Sequence, residues 1–292
     1  MKKRSFLLLF ALAVMFVGCD APVREREDKE TEVYLVYTDW AESVALTYLA
    51  QVLLERHLEY DVVTRLTDIE TVFEDVATGR ADAFMDVWVP HTHASFLEEY
   101  DGQYEDLGPN YHHARAGLVV PAYMPVETIP GLANLYDQPI AGIDTSAGVM
   151  RNTMEALLAY DLDNELLVLS DPEMAEKLRE AIRRREPIVV TGWVPHWLMY
   201  RYDLKFLDDP LEIFMEQEQI HTIARTGFTE DMPRAAELLK RIVMSENHIN
   251  SLLYMIHRSE DPLDGVHEWI EDNQSIVNRW VRGLAPEREK IM

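Results

Sequence analysis

Short apolar runs alternate with helix-period patterns along most of this chain, and that alternation points to an α/β fold on an open sheet. Val33–Tyr37 predicts a first strand. The helix expected next, Ala41–His57, carries Val44, Tyr48, Val52 and Leu53 on one face. Further strands are expected at Tyr60–Thr64, Ala83–Trp88, Ala116–Pro121, Pro139–Ile143, Leu166–Leu169, Pro187–Gly192 and Ile220–Ala224. Helices are expected at Ile69–Thr78, ended by Gly79, at His93–Tyr100, from Gly148 to about Tyr160, and at Asp171–Arg185, opened by Pro172. From Met232 to about Arg282 the chain reads as mostly helical, with a break at Asp261-Pro262. This order predicts two lobes. Residues 31–118 and 222–283 form the first, and residues 119–221 form a second lobe inserted into it. Ala116–Pro121 and Ile220–Ala224 would be the crossovers, about which the lobes close. Residues 284–292 read as a polar tail.

The N-terminus reads as a targeting segment. Lys2, Lys3 and Arg4 precede an apolar run, Phe6–Val17, that is short for a membrane span. Val17-Gly18-Cys19 follows, which resembles a bacterial lipobox, although Phe16 stands where Leu is usual. Residues 1–18 are therefore expected to be a lipoprotein signal peptide, with Cys19 lipidated. Residues 19–30 would then be the lipidated residue and a charged tether, anchoring the protein to the membrane without spanning it. Cys19 is the only cysteine, so no intrachain disulfide can form.

The net charge is −25, and removal of residues 1–18 takes away Lys2, Lys3 and Arg4 and no acid, deepening it to −28. Nucleic acid is excluded as a partner, because its phosphates need clustered Lys and Arg. No Gly-x-Ser-x-Gly, His-Glu-x-x-His or phosphate-binding loop occurs, so no catalytic chemistry is expected and no cofactor is implied.

Three tryptophans stand apart. Trp40, Trp88 and Trp193 each lie at or just past the end of an apolar run, where open α/β sheets bind ligands. Converging there, three indoles would make an electron-rich box for a quaternary ammonium. A buried Trp is otherwise ordinary core, and Trp197, Trp269 and Trp280, within helical patterns, read that way. Gly148 and Val149 open a helix whose free backbone N–H groups would attract a carboxylate, although a plain N-cap by Ser146 fits the same pattern. His93, five residues past Trp88, is placed to donate to the same carboxylate. His91, His93, His112 and His113 offer a rival reading as a metal cluster. A surface lipoprotein with no small ligand is a further rival.

These stretches resemble a known family, the lipid-anchored substrate-binding proteins of ABC importers for glycine betaine and related osmoprotectants. The resemblance rests on Asp39–Glu42, Asp82–His93, Gly117–Met124, Gly142–Met150, Val189–Trp197 and Tyr202–Pro210, and covers roughly residues 31–283. It implies a two-lobed periplasmic-binding fold of the type II kind. It implies that Trp40, Trp88 and Trp193 surround the trimethylammonium group, and that His93 and the amides of Gly148 and Val149 hold the carboxylate, with Val149 where the family has Ile. It also implies permease and ATPase partners and an extracytoplasmic location. Choline, carnitine and proline betaine remain alternative ligands. Asp39 stands where the family often has Asn. Near the box, its charge would favour choline. Pointed away, it would cap the following helix, which is the preferred reading.

Overall fold

A computed structural model describes residues 31–135, 137–214 and 217–286. The expected signal peptide, Cys19, the expected tether and residues 287–292 of the expected tail lie outside the described residues. The first half of the chain runs β1 (Glu32–Tyr37), α1 (Ala41–Leu58), β2 (Asp61–Leu66), α2 (Ile69–Ala77), β3 (Ala83–Val89), α3 (Ala94–Glu99) and β4 (Tyr104–Pro121). A 3-10 turn at Ile129–Leu135 leads to β5 (Ile140–Ala141), α4 (Gly148–Ala159), β6 (Leu166–Leu167), α5 (Asp171–Arg184), β7 (Val189–Val194), α6 (Trp197–Arg201) and β8 (Leu204–Phe206). The chain returns through β9 (Glu218–Arg225) and closes with α7 (Phe228–Asp231), α8 (Pro233–Arg241), α9 (Glu246–Arg258), α10 (Pro262–Asp272) and α11 (Gln274–Trp280).

The strands lie in the order β2-β1-β3-β9-β4-β7-β5-β6, with β8 beside β4. β1 is parallel to β2 and β3, and β5 is parallel to β6 and β7. β4 joins the two sets by changing partners along its length. From Tyr104 to Ala114 it pairs antiparallel with β9, and from Arg115 to Val119 with β7. The parallel strands of each set therefore end toward one crevice, where the side chains of an open α/β sheet meet ligands.

Two departures from the sequence reading have local causes. β4 begins twelve residues before the expected Ala116. Its first half shifts register at Gly108, between Pro109 and Tyr111, and again before Ala114, so no clean alternation marks it. Trp193 lies inside β7, one residue before the strand end, rather than past it, and β3 runs one residue beyond Trp88, its expected last residue. A Val–Pro peptide in the cis form follows each strand, at Val89-Pro90 and Val194-Pro195.

The late helices pack tightly. Trp269 is wholly buried, stacks on Trp280 with ring centroids 6.2 Å apart, and donates its indole N–H to the Ser251 hydroxyl at 2.8 Å. Trp197 stacks on His257 at 3.4 Å, so all three helical tryptophans are core. α10 meets α9 at Gly265, where a Cβ would stand 2.7 Å from the Ile256 Cα and 2.8 Å from the Met255 carbonyl oxygen. Both obstacles are backbone and cannot swing away. Gly265→Ala is therefore expected to cost about 1–3 kcal/mol through overpacking and to lower the calorimetric midpoint by several degrees. An unchanged midpoint would show that the helices part freely there.

Candidate functional site

A partly open cavity of about 30 Å³ lies between the two sets of strands, and Trp40, Trp88 and Trp193 all line it. The rest of its wall is Glu42, Thr92, His93, Ala116, Ile143, Ala147, Gly148 and Val149. Trp40 caps the start of α1 just beyond β1, while Trp88 and Trp193 come from β3 and β7. Ala116, opposite Trp193 in the β4–β7 ladder, leaves room beside the ring. The three tryptophans are 8%, 4% and 4% exposed, so their rings are almost entirely withdrawn from water.

Each indole N–H is held by a carboxylate. Trp40 Nε1 donates to Asp144 Oδ2 at 3.1 Å, Trp88 Nε1 to Asp86 Oδ1 at 2.9 Å, and Trp193 Nε1 to Glu42 Oε2 at 2.7 Å. These bonds fix the rings edge-first on the protein. Two of them cross the cavity between the strand sets: the ring after β1 reaches the segment before α4, and the ring from β7 reaches α1. The sequence reading named the rings and missed the acids. The available signal was an acid two residues from a Trp, in Asp86-Val87-Trp88 and Trp40-Ala41-Glu42, although Glu42 serves Trp193 rather than its neighbour.

Glu42 and Asp86 are buried, and neither has a basic partner among the described residues. Burial pushes both carboxyl groups well above the usual carboxylate range, and the charge of Asp86 raises Glu42 further. The indole bonds oppose this rise without cancelling it.

His93 shows the opposite shift. Burial, aided by the positive charge of Arg151, lowers it to about 3, so the imidazole is neutral. Its Nδ1 accepts the Trp88 backbone N–H at 3.0 Å, which leaves the proton on Nε2 as a donor. The ring lies nearly parallel to Trp40, with centroids 6.1 Å apart.

α4 begins at Gly148, and no side chain caps it. The first amides of a helix have no intrahelical acceptor, and both Gly148 and Val149 line the cavity. Ser146 does not cap this helix; its hydroxyl and its amide both turn to Asp144. Gly148 faces Thr92 so closely that a Cβ would stand 2.4 Å from the Thr92 methyl carbon. Thr92 is clamped in turn. Glu218 Oε1 accepts the amides of His91 and Thr92, both at 2.8 Å, and Arg151 Nη2 donates to the Thr92 carbonyl oxygen at 2.8 Å. Arg151 and Glu218 lie outside every motif of the sequence, and Thr92, inside the Asp82–His93 stretch, was given no role there.

Asp39 caps nothing, contrary to expectation: Trp40 is the N-cap of α1, and no side chain bonds there. Asp39 instead lines a separate, wider cleft with Asp68, Asp144 and Asp171. Its carboxyl is raised by burial and then by Asp171 and Asp144. The metal reading finds no support: His91, His112 and His113 are exposed, and no group of three His, Cys, Asp or Glu side chains is placed to hold an ion among the described residues.

With this geometry in place, three comparisons bear on the chain. The family described as the substrate binding domain of the ABC-type glycine betaine transport system matches residues 31–272. A glycine betaine/carnitine transport binding protein of Listeria monocytogenes is 35% identical over 163 residues, 55% of this chain and 54% of that protein, so the match spans about half the relative's length. The crystal structure of lactococcal OpuAC, closed on glycine betaine, superposes with a TM-score of 0.81 at 34% identity, covering 86% of this chain and 100% of that one. The glycine betaine/L-proline-binding protein ProX of Borrelia burgdorferi gives 0.80 at 31% identity, covering 88% of this chain and 97% of that one.

The neutral His93 sets a pH prediction. Because its folded value is about 3 against an ordinary 6.5, the unfolded chain takes up a proton below about pH 6.5 that the folded site refuses. The stability lent by this residue is present above that pH and is lost as acid is added toward pH 3. Side-chain 15N NMR is expected to show His93 holding the Nε2–H tautomer from pH 8 to pH 5. Movement toward the imidazolium pattern near pH 6 would contradict the burial argument.

Proposed function

The chain belongs to the family of substrate-binding domains of ABC-type glycine betaine transport systems, and we propose that it captures glycine betaine, or a closely related quaternary-ammonium zwitterion, for delivery to a permease and an ATPase. The observation that carries this reading is the set of three carboxylate-anchored indoles around one cavity. A tetraalkylammonium group has no N–H to donate. It is held without hydrogen bonds, by dispersion and by attraction to negative charge, of which each aromatic face supplies about 0.5–2 kcal/mol when desolvated. The carboxylate end of the ligand meets donors that carry no formal charge, His93 Nε2–H and the amides of Gly148 and Val149. Three faces and a paired carboxylate are consistent with micromolar binding, about −8 kcal/mol.

In this reading residues 31–118 with 222–283 carry Trp40, Trp88 and His93, and residues 119–221 carry Trp193, Gly148 and Val149. Closure of the two lobes completes the box. The protein acts by binding, as the transport proteins of its family do, and not as an enzyme. Binding proteins of importers work outside the cytoplasmic membrane, and no described helix is long and apolar enough to cross one. Cys19, ahead of a charged tether, would supply a lipid anchor.

Choline would fill the same box and leave His93 and the α4 amides without a partner. Asp39, whose charge would favour choline if it faced the box, is not among the side chains lining the cavity.

Titration calorimetry on the chain from about residue 24 onward tests the assignment. Trp88→Ala is expected to weaken glycine betaine binding by about tenfold or more, the value of one desolvated aromatic face. Gly148→Ala is expected to weaken it as well, because the added methyl group collides with Thr92. A folded Trp88→Ala protein with an unchanged affinity would reject the box, and tighter binding of choline than of glycine betaine would move the assignment to choline.

A further inference from the structure

Beneath the aromatic box lies a pair of acids that no partner neutralises. Glu42, on the first turn of α1, lines the cavity, and Asp86, on β3, stands behind Trp88. They are 2% and 0% exposed. The groups that face Glu42 are the Trp193 N–H, Asp86 and, at the start of α5, Asp171. Those that face Asp86 are the Trp88 N–H and the Ser43 hydroxyl. His93, the other titratable group of the cavity, is neutral. No lysine or arginine reaches either acid among the described residues. Asp86 Oδ2 is buried with no hydrogen-bond partner. A bare carboxylate oxygen in such surroundings carries a large desolvation penalty, which a proton on the carboxyl removes.

We infer that Glu42 and Asp86 are the counter-charge of the bound cation, and that the pair releases a proton to solvent when a quaternary ammonium enters the box. In the empty site two neighbouring anions cannot both persist without a cation, so the pair holds a proton. A trimethylammonium group against Trp88 and Trp193 brings one fixed positive charge to the ring faces whose N–H edges these acids hold. That charge stabilises the ionised pair. The carboxyl O–H bond breaks, its electrons stay on the carboxylate, and the proton passes to a buffer base. The ligand cannot supply this proton, because its nitrogen bears none and its own carboxyl is already ionised at neutral pH. The inference rests on the ligand class proposed above and adds a role for two residues that touch the box from behind. It also accounts for acids at positions where an amide would satisfy the same indole N–H.

By linkage, affinity then rises with pH, at most about tenfold per pH unit for one proton released. The test is calorimetry of glycine betaine binding to the wild-type chain between pH 6 and pH 9, at each pH in phosphate and in Tris, buffers of very different ionisation heat. The expected result is a binding heat that differs between the buffers by up to about one proton's worth, together with an affinity that increases with pH. In the Glu42→Gln/Asp86→Asn double variant, where amide oxygens still accept the indole N–H groups, both effects are expected to vanish. Buffer-independent heats and a flat affinity in the wild type would overturn the inference while leaving the ligand assignment intact, and this arm needs no variant to fold. Proton release that persists in the double variant would overturn it by locating the source elsewhere. Absence of any binding heat at every pH would remove the ligand assignment and the inference together.

Discussion

The hydrogen bond from a buried indole N–H to a carboxylate organises this molecule, and it occurs three times around one cavity, twice to a buried acid and once to the half-buried Asp144. A tryptophan on a cavity wall poses a conflict. Its face is useful to a cation, and its N–H demands an acceptor that would otherwise be water. Pairing the N–H with an acid behind the ring resolves the conflict and sets the ring plane at the same time. Leaving such a donor unpaired in the interior would cost about 1–3 kcal/mol, so an acceptor behind each ring is a structural requirement before any ligand arrives.

The backbone brings these pairs together through β4. A strand of eighteen residues that changes partners midway ties the parallel set around β1 and β3 to the set around β5 and β7. Each set ends its parallel strands at the same crevice, and each contributes rings and acids. Trp40 and Asp144 pair across the crevice in one direction, and Trp193 and Glu42 in the other. Both bonds span the crevice between the two sets of strands. The contact of Gly148 with Thr92, and the bond from Arg151 to the Thr92 carbonyl, lie on the same seam.

Most of the architecture was readable from pattern. α1, α2, α5, β1, β3 and β7 fall within two residues of their expected limits because each is a dense run of apolar residues or has an explicit cap, as in the Ser170–Glu173 capping box of α5. The first half of β4 was unreadable because its register shifts break the alternation. The short β8 and the Ile129–Leu135 turn are held by distant partners rather than by local preference. The cavity rings were found because tryptophan is rare and their positions share a rule. The acids were not, because 52 Asp and Glu residues make any one of them unremarkable in sequence. Burial together with an indole N–H partner from the cavity distinguishes Glu42 and Asp86 from the rest. Asp39 was misjudged for a related reason: the residue before a helix usually caps it, but here Trp40 takes that position, and its ring is drawn toward Asp144 instead.

An acid that accepts an indole N–H does so through a carbonyl-type oxygen whether or not its other oxygen carries a proton. The geometry of the box is therefore compatible with either charge state of Glu42 and Asp86, and the charge state is left for the contents of the cavity to decide. A glutamine or an asparagine would hold the rings equally well but could not change its charge. Where a cation must be taken out of water, an acid pair that gives up a proton on demand reconciles the two states. It limits the charge of the empty, desolvated cavity, and it supplies one further negative charge when the indole faces alone would leave the ligand nitrogen uncompensated.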